Sequence, residues 1–493
     1  MRFFAIILAL SASLFFSSCA QQEQARPAAP ENEQDLAGRR IATVAGSCYD
    51  MNLSKRDDIE LLLFNYDADA LQALLTGRAD VLVNDETVLN SVIMARHGIK
   101  VACKGSEHFP TALMFNKDRV SLVEAMNALE AQMVQDGRLD SLIQFWLGEE
   151  YLRRETLTHL PPEPEDGDPL RVACVCSMAP ISFMVGDDWF GLEPDLAREL
   201  ARVLHRSIEF HLYDATSGMM AVRSGMADVM TGCIFVTPER QQEYLFADPY
   251  HEFGSSYYVM DHDAEDAAVS FWKRFGNSLN DNLIKEGRWR YITDGLWETV
   301  KISLLSILLG ALLGVGLCAM ARSRRRWLRS TAAVYNWLMA GIPMLVLLLI
   351  LFYVVFAKSG LNPTTVAVFA FALNFASGAS DVYGTSLDAV PRGQTEAGLA
   401  LGFTRLQTFR HIVLPQALKR GLPLFQGQCV SLLKGTSIVG YIAIQDLTRA
   451  GDIIRSRTFD AFVPLLVVTV LYFILAWLIG CLVKLAMPKK HVL

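Results

Sequence analysis

The sequence predicts an α/β portion followed by an all-α transmembrane domain of about five helices, and three observations carry that prediction. The 493-residue chain is too long for one ordinary domain. It is 52% hydrophobic, with a mean hydropathy of +0.26 that is high for a wholly soluble protein. The excess is uneven: from Ala37 to Trp289 the chain alternates like a soluble α/β protein, whereas beyond Thr299 long apolar runs are broken by short polar loops.

The N-terminus comes first. Residues 1–19 hold one basic residue, the apolar run Phe3–Leu10 and then small residues, the pattern of a secretory signal. Ser17-Ser18-Cys19 is similar to a bacterial lipobox, which makes Cys19 the expected lipidation site, with an uncleaved anchor as the alternative. Residues 20–35, rich in Gln, Pro, Ala and Glu, read as a disordered tether.

In the exported part, Leu170-Arg171-Val172-Ala173-Cys174-Val175 is a strand pattern. Leu196, Leu200, Val203 and Leu204 share one helical face, with Asp195 placed to cap that helix. A second helix, at about Ser217–Ser224, precedes a strand over Ala227–Met230. The proline-rich stretch 161–168 is a linker between residues 36–160 and 169–261. Residues 262–290 carry Phe271, Trp272, Phe275, Leu279 and Leu283 among Lys and Arg, an amphipathic connector suited to the outer membrane surface.

A membrane helix needs roughly 20 apolar residues. Five runs qualify: Thr299–Met320, Thr331–Phe356, Pro363–Asp381, Leu422–Ile444 and Ala461–Leu485. Arg322, Arg324, Arg325, Arg326 and Arg329 follow the first run, and Arg392, Arg405, Arg410, Lys419 and Arg420 follow the third. Lys489 and Lys490 follow the fifth. Odd-numbered spans therefore end inside, and residues before Thr299 lie outside, as the signal sequence also requires. The expected location is a bacterial inner membrane, multi-pass, with the C-terminus cytoplasmic.

Composition and motifs exclude several classes. A net charge of −7 without a basic, aromatic-laced stripe argues against a nucleic-acid partner. No Gly-x-x-x-x-Gly-Lys-Ser/Thr loop occurs, so the chain has no backbone cradle for nucleotide phosphates. No histidine completes a metal-ligand spacing around Cys174 and Cys176, and nothing in the sequence supports an enzyme.

Between the third and fourth runs lies Gly393-Gln394-Thr395-Glu396-Ala397-Gly398-Leu399-Ala400-Leu401-Gly402-Phe403, continuing to Val413-Leu414-Pro415-Gln416-Ala417. This resembles the EAA loop of ABC importer permeases of the polar amino-acid uptake family, and the resemblance extends from Gly295 to Lys489 within a permease domain of residues 291–489. In that family two short helices flank a glycine and dock on the ATPase, which implies coupling roles for Glu396, Ala397, Gly402 and Phe403. Glu396, Ala400 and Phe403 are expected on one helical face, and Gly402 at a sharp turn. Leu433-Lys434-Gly435-Thr436-Ser437 is similar to the family's Leu-Lys-Asp-Thr-Ser segment, with Gly435 in place of Asp. The family's Arg-Gly-Thr-Pro is absent at Met339–Pro343, and of its acidic pattern at Ser377–Gly384 only Asp381 remains. The implied partners are a cytoplasmic ABC ATPase dimer, which would hold the ATP and Mg that this chain does not, and a second copy of the permease.

Gly191-Leu192-Glu193-Pro194-Asp195, Thr237-Pro238-Glu239-Arg240 and Phe246-Ala247-Asp248-Pro249-Tyr250 resemble the first lobe of family 3-type extracytoplasmic amino-acid-binding proteins. Asp35–Ile41, Gly46-Ser47, Gly77–Asp80 and Asp85 resemble the second lobe, with Phe115-Asn116-Lys117 and Asp136–Trp146 as the return. The implied fold is the two-lobed α/β periplasmic-binding-protein fold, with lobe two (36–160) ahead of lobe one (169–261), a circular permutation; two tandem half-domains are the alternative. The resemblance places Arg240 on the ligand carboxylate, Asp85 on its ammonium, and Gly46 and Ser47 beside the carboxylate. Arg240 would otherwise pair with Glu239 or Glu243, and Asp85 would otherwise serve a turn or cap. Val175, Met178, Ala215 and Phe235 replace polar or aromatic ligand contacts, which implies either a more apolar pocket or a degenerate one. The alignment also implies a Cys174–Cys233 disulfide. The function expected is a permease subunit of an amino-acid importer with a fused binding domain. A ligand-gated channel or a sensor is the alternative; the EAA-like loop speaks against the channel, and no output module supports the sensor.

Overall fold

The computed structural model describes residues 29–86, 89, 91–148, 150–153, 167–175, 179–185, 188–213, 215–261, 271–357 and 359–486. The expected signal segment with Cys19, most of the tether, most of the linker, Cys176, Met178 and the terminal lysines lie outside them. The chain divides into two compact units, one drawn from Met1–Asn65, Asp69–Glu107 and Gly254–Ala264, the other from Tyr66–Ala68, His108–Phe253 and Glu265–Leu493. The second of these units holds both a sheet and the helical half.

The first unit is built on strands β1 (Arg40–Val44), β2 (Glu60–Phe64), β3 (Val81–Asp85), β4 (Ile99–Thr111) and β12 (His251–Met260), in the order β2-β1-β3-β12-β4. β1 runs parallel to β2 and β3, and β12 runs antiparallel to β3, with Ser255 opposite Asp85. β12 is buried over Phe253–Val259, as a central strand covered on both faces must be. The Asp80 carboxylate accepts from the Arg40 amide (2.9 Å) and guanidinium (2.6 Å), pinning the starts of β1 and β3 together. The last residues of the expected tether, 32–35, are structured. Asn32 and Asp35 form a capping box around the 3-10 turn Glu33–Leu36, and Glu33 accepts from the Tyr257 hydroxyl at 3.0 Å.

The second unit's sheet uses β5 (Met114–Phe115), β6 (Leu170–Val175), β9 (Ile208–Tyr213), β10 (Val229–Thr231) and β11 (Leu245–Phe246), in the order β11-β5-β10-β6-β9; β7 (Phe183–Val185) and β8 (Asp188–Phe190) form a hairpin. β6 is parallel to both β9 and β10, and β5 is antiparallel to β10. The two sheets therefore have matching orders, and each takes one strand from the other half of the sequence: β5 comes from before the linker, β12 from after it. Buried Asp228 gathers Arg171 and Arg119, both at 3.0 Å, at the start of β10. Strand 170–175 lies where expected, and the two helices span Leu192–Val203 and Ala215–Arg223. Asp195 is not a cap. It sits inside the first helix, where its carboxylate accepts from the buried Trp146 indole (3.0 Å) and from Arg198 (3.1 Å); Gly191 holds the cap position.

Among the described residues, three helices are long and apolar enough to cross a membrane: Trp289–Ala321, Pro363–Asp388 and Phe462–Val483. The first, at 33 residues, is about 50 Å long, more than the hydrocarbon core needs, and its first turns carry Asp294, Glu298 and Lys301. The second and fourth expected spans differ from prediction. Arg326–Gly341 and Met344–Val355 meet at 105°, broken where Ile342 takes an extended conformation before Pro343. In the fourth, the helix Leu414–Gly435 passes into a 3-10 stretch Thr436–Ile442, and then Leu447–Thr458 departs at 54°. Apolar content registers neither break. The connector also differs: its helix covers Phe271–Leu279 and its π-turn Asn280–Ile284, where buried Asn282 donates to Asp460 (2.8 Å) and accepts from Thr458 (2.7 Å). It is tied to the segment before the last span as well as being amphipathic.

The first and third long runs pack through small residues. A Cβ on Gly310 would lie 2.7 Å from the Ala372 carbonyl oxygen, and one on Gly314 2.8 Å from the Ala379 Cβ, so both positions need the bare backbone. Gly316, one face round, has open space. Gly314→Leu should lower the thermal midpoint of the purified protein by the equivalent of about 1–3 kcal/mol of overpacking. Gly316→Leu should leave it unchanged, and equal effects would mean the packing is not there.

Glu130, on the helix Val120–Gln135, is 5% exposed, and neither carboxylate oxygen has a hydrogen-bond partner. Burial, and secondarily the charge of Asp248, pushes its pKa up to about 8 from 4.5. A carboxyl that titrates higher folded than unfolded gives its full stabilisation below the unfolded value and loses it as pH rises through the folded one. Stability should therefore fall between about pH 4.5 and pH 8, and Glu130→Gln should flatten that slope; thermal unfolding of both proteins at pH 5 and pH 8 measures it.

Candidate functional site

The EAA-like loop takes a defined shape. Arg392–Ala400 is a helix with Pro391 at its cap. It ends in a Schellman motif, in which the Gly402 amide donates to Leu399 (3.0 Å) and the Phe403 amide to Gly398 (3.1 Å). Gly402 sits at φ +88°, in the left-handed region that glycine enters without strain. The chain then re-enters helix at Arg405–Thr408. Thr404 and Gln407 form a capping box there, the Thr404 amide donating to Gln407 at 2.9 Å. A π-turn, Phe409–Val413, leads into the next long helix.

Glu396 and Ala397 are exposed on the first short helix, as expected of a contact surface. Phe403 is not on their helical face, because the helix ends before Gly402 and the turn redirects the chain. The most exposed apolar side chains of the loop are instead Leu401 (76% exposed) and Leu406 (75%), with Leu399, Phe403 and Phe409 about two-fifths exposed. Gly398 also matters. It is buried against the second short helix, and a Cβ there would stand 2.7 Å from Thr408 Cγ2 and 2.8 Å from Ile412 Cδ1. The Thr404-x-x-Gln407 spacing was readable as a capping box; the Gly398 contact spans ten residues and has no local signature.

The residues expected to meet a ligand lie partly in one unit and partly in the other. In the first, Ser47 caps the helix Cys48–Leu53, its hydroxyl accepting from the Asp50 amide (3.1 Å) and donating to the Val44 carbonyl (2.7 Å). The Gly46 amide donates to the Asp50 carboxylate at 2.8 Å. Asp85 is buried at the end of β3 and accepts from the Tyr49 hydroxyl, while its carbonyl accepts from Tyr258 at 3.0 Å. In the second unit, Arg240 lies in the short helix Pro238–Gln241, capped by Thr237, and its guanidinium donates to the Phe235 carbonyl at 2.9 Å. Glu243, one alternative partner for Arg240, is bridged by Arg223 at 3.0 Å.

The residues expected to shape the pocket are apolar. Phe235 is buried edge-on against Phe109 with centroids 5.6 Å apart, and Val175 presses on Gly232, where a Cβ would lie 2.6 Å from the valine's own. Ala215 starts its helix exposed. The side chain that fixes this region is Glu193. Fully buried, it accepts from the amides of Gly232 and Cys233 and from the Tyr250 hydroxyl (2.7 Å), and burial pushes its pKa up to about 7. Its place two residues after Gly191 gives no hint of a partner forty residues away. The expected Cys174–Cys233 disulfide is not formed. Cys174 pairs in register with Thr231, and Cys233 lies past the end of β10 at φ +57°, where the chain has left the sheet.

Residues 306–491 match the family described as binding-protein-dependent transport system inner membrane component. The L-cystine transport system permease protein TcyB of Bacillus subtilis is 33% identical over 208 residues, which cover 42% of this chain and 88% of that protein. The putative glutamine transport system permease protein GlnP of Rickettsia conorii is 30% identical over 41% of this chain and 94% of its own length. Among solved structures, an amino acid ABC transporter crystallised with histidines covers 45% of this chain at 28% identity with a TM-score of 0.38. The ancestral amino acid-binding protein AncCDT-1 covers 50% at 11% identity with a TM-score of 0.26. The helical half, with the loop built around Gly398 and Gly402, is what this chain shares at nearly full length with the permeases: it belongs to the family of binding-protein-dependent transport system inner membrane components.

Proposed function

We propose that the chain is the membrane subunit of an ATP-driven amino-acid importer that carries its own extracytoplasmic solute-binding domain. The observation that carries this reading is the loop at 392–413. A left-handed turn at Gly402 presents Leu401 and Leu406 to solvent inside the region shared with permeases. Exposed leucines at the apex of a rigid turn suit a groove on a partner protein. A cytoplasmic ABC ATPase dimer, which would bring the ATP and Mg, is that partner, and a second permease copy completes the path. With each bent helix pair counted as one crossing, the arginines at 322–329 and around 392–420 put this loop in the cytoplasm and the sheets outside, in a bacterial inner membrane. Residues 1–19 act as the export signal and Cys19 as the lipid anchor. The ligand-gated channel and the sensor are disfavoured because neither uses an ATPase-docking turn.

The matching strand orders of the two sheets, each completed by a strand from the other half, support a single permuted binding domain over 36–261, joined at 161–168, rather than two tandem remnants. Its ligand would be an amino acid, with Arg240, Gly46 and Ser47 on the carboxylate and Asp85 on the ammonium. Val175, Ala215 and Phe235 favour small or apolar side chains. A second reading has its own support: Arg240, Gly46 and Asp85 all make hydrogen bonds within their own unit, as they would in a site that has ceased to bind.

Two measurements follow. Gly402→Asp places a Cβ at φ +88° and a charge on the docking face, so uptake into membrane vesicles should be lost while ligand binding is retained; near-normal uptake by an inserted variant defeats the coupling assignment. Arg240→Ala removes the main partner of a buried carboxylate, a loss of about 3–5 kcal/mol. Amino-acid affinity by calorimetry should then fall at least about a hundredfold. Asp85→Asn should cost less and weaken discrimination against des-amino analogues. Binding by Arg240→Ala within about threefold of wild type would establish the degenerate site instead.

A further inference from the structure

A cavity of about 560 Å³ opens between the inner end of the first span, the end of Pro363–Asp388 and the start of Leu414–Gly435. Val315, Tyr383, Phe409, Leu414, Ala417 and Phe425 are among its walls. Its two hydroxyl side chains donate to backbone carbonyls: Tyr383 to Ala311 (3.4 Å) and Ser386 to Val382 (2.5 Å). Arg322 pairs with the exposed Asp388 at 2.8 Å and has donors to spare. The lining holds no carboxylate to meet the ammonium of a zwitterionic amino acid, so the cavity does not suit the transported ligand. The one charged residue in its lining is Arg322, half-exposed, and the chain runs on from it through exposed Arg324, Arg325 and Arg326 to exposed Trp327. Arginines beside an interfacial tryptophan match the level of lipid headgroups.

We propose that this cavity binds an anionic phospholipid, one acyl chain filling the apolar interior and the phosphate meeting Arg322 and the arginines that follow it. The charge at the mouth selects the headgroup; the saturated polar atoms of the wall select the tail. Phe409 and Leu414 bound the π-turn that carries the Gly402 loop, so the tail would sit directly beneath the ATPase-docking element. The proposal needs only the membrane-spanning reading of these helices, and its test does not use transport.

The full-length protein, extracted in mild detergent and washed repeatedly, should retain phosphatidylglycerol over phosphatidylethanolamine when bound lipid is quantified by native mass spectrometry. Ala417→Phe, which fills the cavity, should retain at least about fivefold less of either lipid. Arg322→Gln, an exposed change that spares the packing, should lose the preference for phosphatidylglycerol. Equal retention of the two lipids by wild type, or wild-type retention by both variants, overturns the proposal. So does efficient cross-linking of two copies through Leu418→Cys, which would put a second chain over the cavity.

Discussion

A strand buried in a sheet must find hydrogen bonds on both edges, and in this protein neither sheet can do so from its own stretch of sequence. β12 lies between β3 and β4, and β5 lies between β11 and β10. Remove either and two neighbouring strands lose a ladder at once. Both inserted strands come from the far side of the linker, so each sheet draws on both stretches of the chain. β4 and β12 each have residues in both compact units, so the covalent chain enforces the same dependence.

Polar groups buried at the sheet ends do related work. Asp228 is out of water, which would be costly for a lone carboxylate, yet two arginines converge on it and it also accepts from the Arg171 amide, so the charge is met where β10 begins. Glu193 plays the opposite role at the other end of that strand. It receives two amides and a phenol, so it fixes the loop carrying Cys233, and burial holds its proton more tightly than water would.

Much of this was legible in the sequence, for identifiable reasons. Strand 170–175 and the helices beginning near 192 and 215 carry period-two and period-3.6 patterns that belong to single elements, and the structure places them within a few residues. The turn at Gly402 was legible because a glycine between two amphipathic stretches has few other uses. What failed is instructive. Asp195 looks like a cap by position, but its acceptor capacity is spent on Trp146, forty-nine residues away. The break at Ile342–Pro343 and the 3-10 passage at Thr436–Ile442 sit inside runs read by their hydropathy, which measures transfer to lipid and says nothing of direction. The anchors Gly46, Asp85 and Arg240 were located by resemblance, but their present partners, Asp50, Tyr49 and the Phe235 carbonyl, are set by local packing that no motif records.

The exchange of β5 and β12 has an evolutionary corollary. When each sheet is closed by a strand from the opposite half, the order of the halves along the gene is immaterial to the sheets, and what gene order decides is which strand comes last. Here the last strand is β12, a central one clamped on both edges, and the chain passes from it through the connector into the first membrane helix. A pull on that helix would therefore be borne by a central strand in shear, its ladder bonds loaded in parallel, rather than by an edge strand that can peel away one bond at a time.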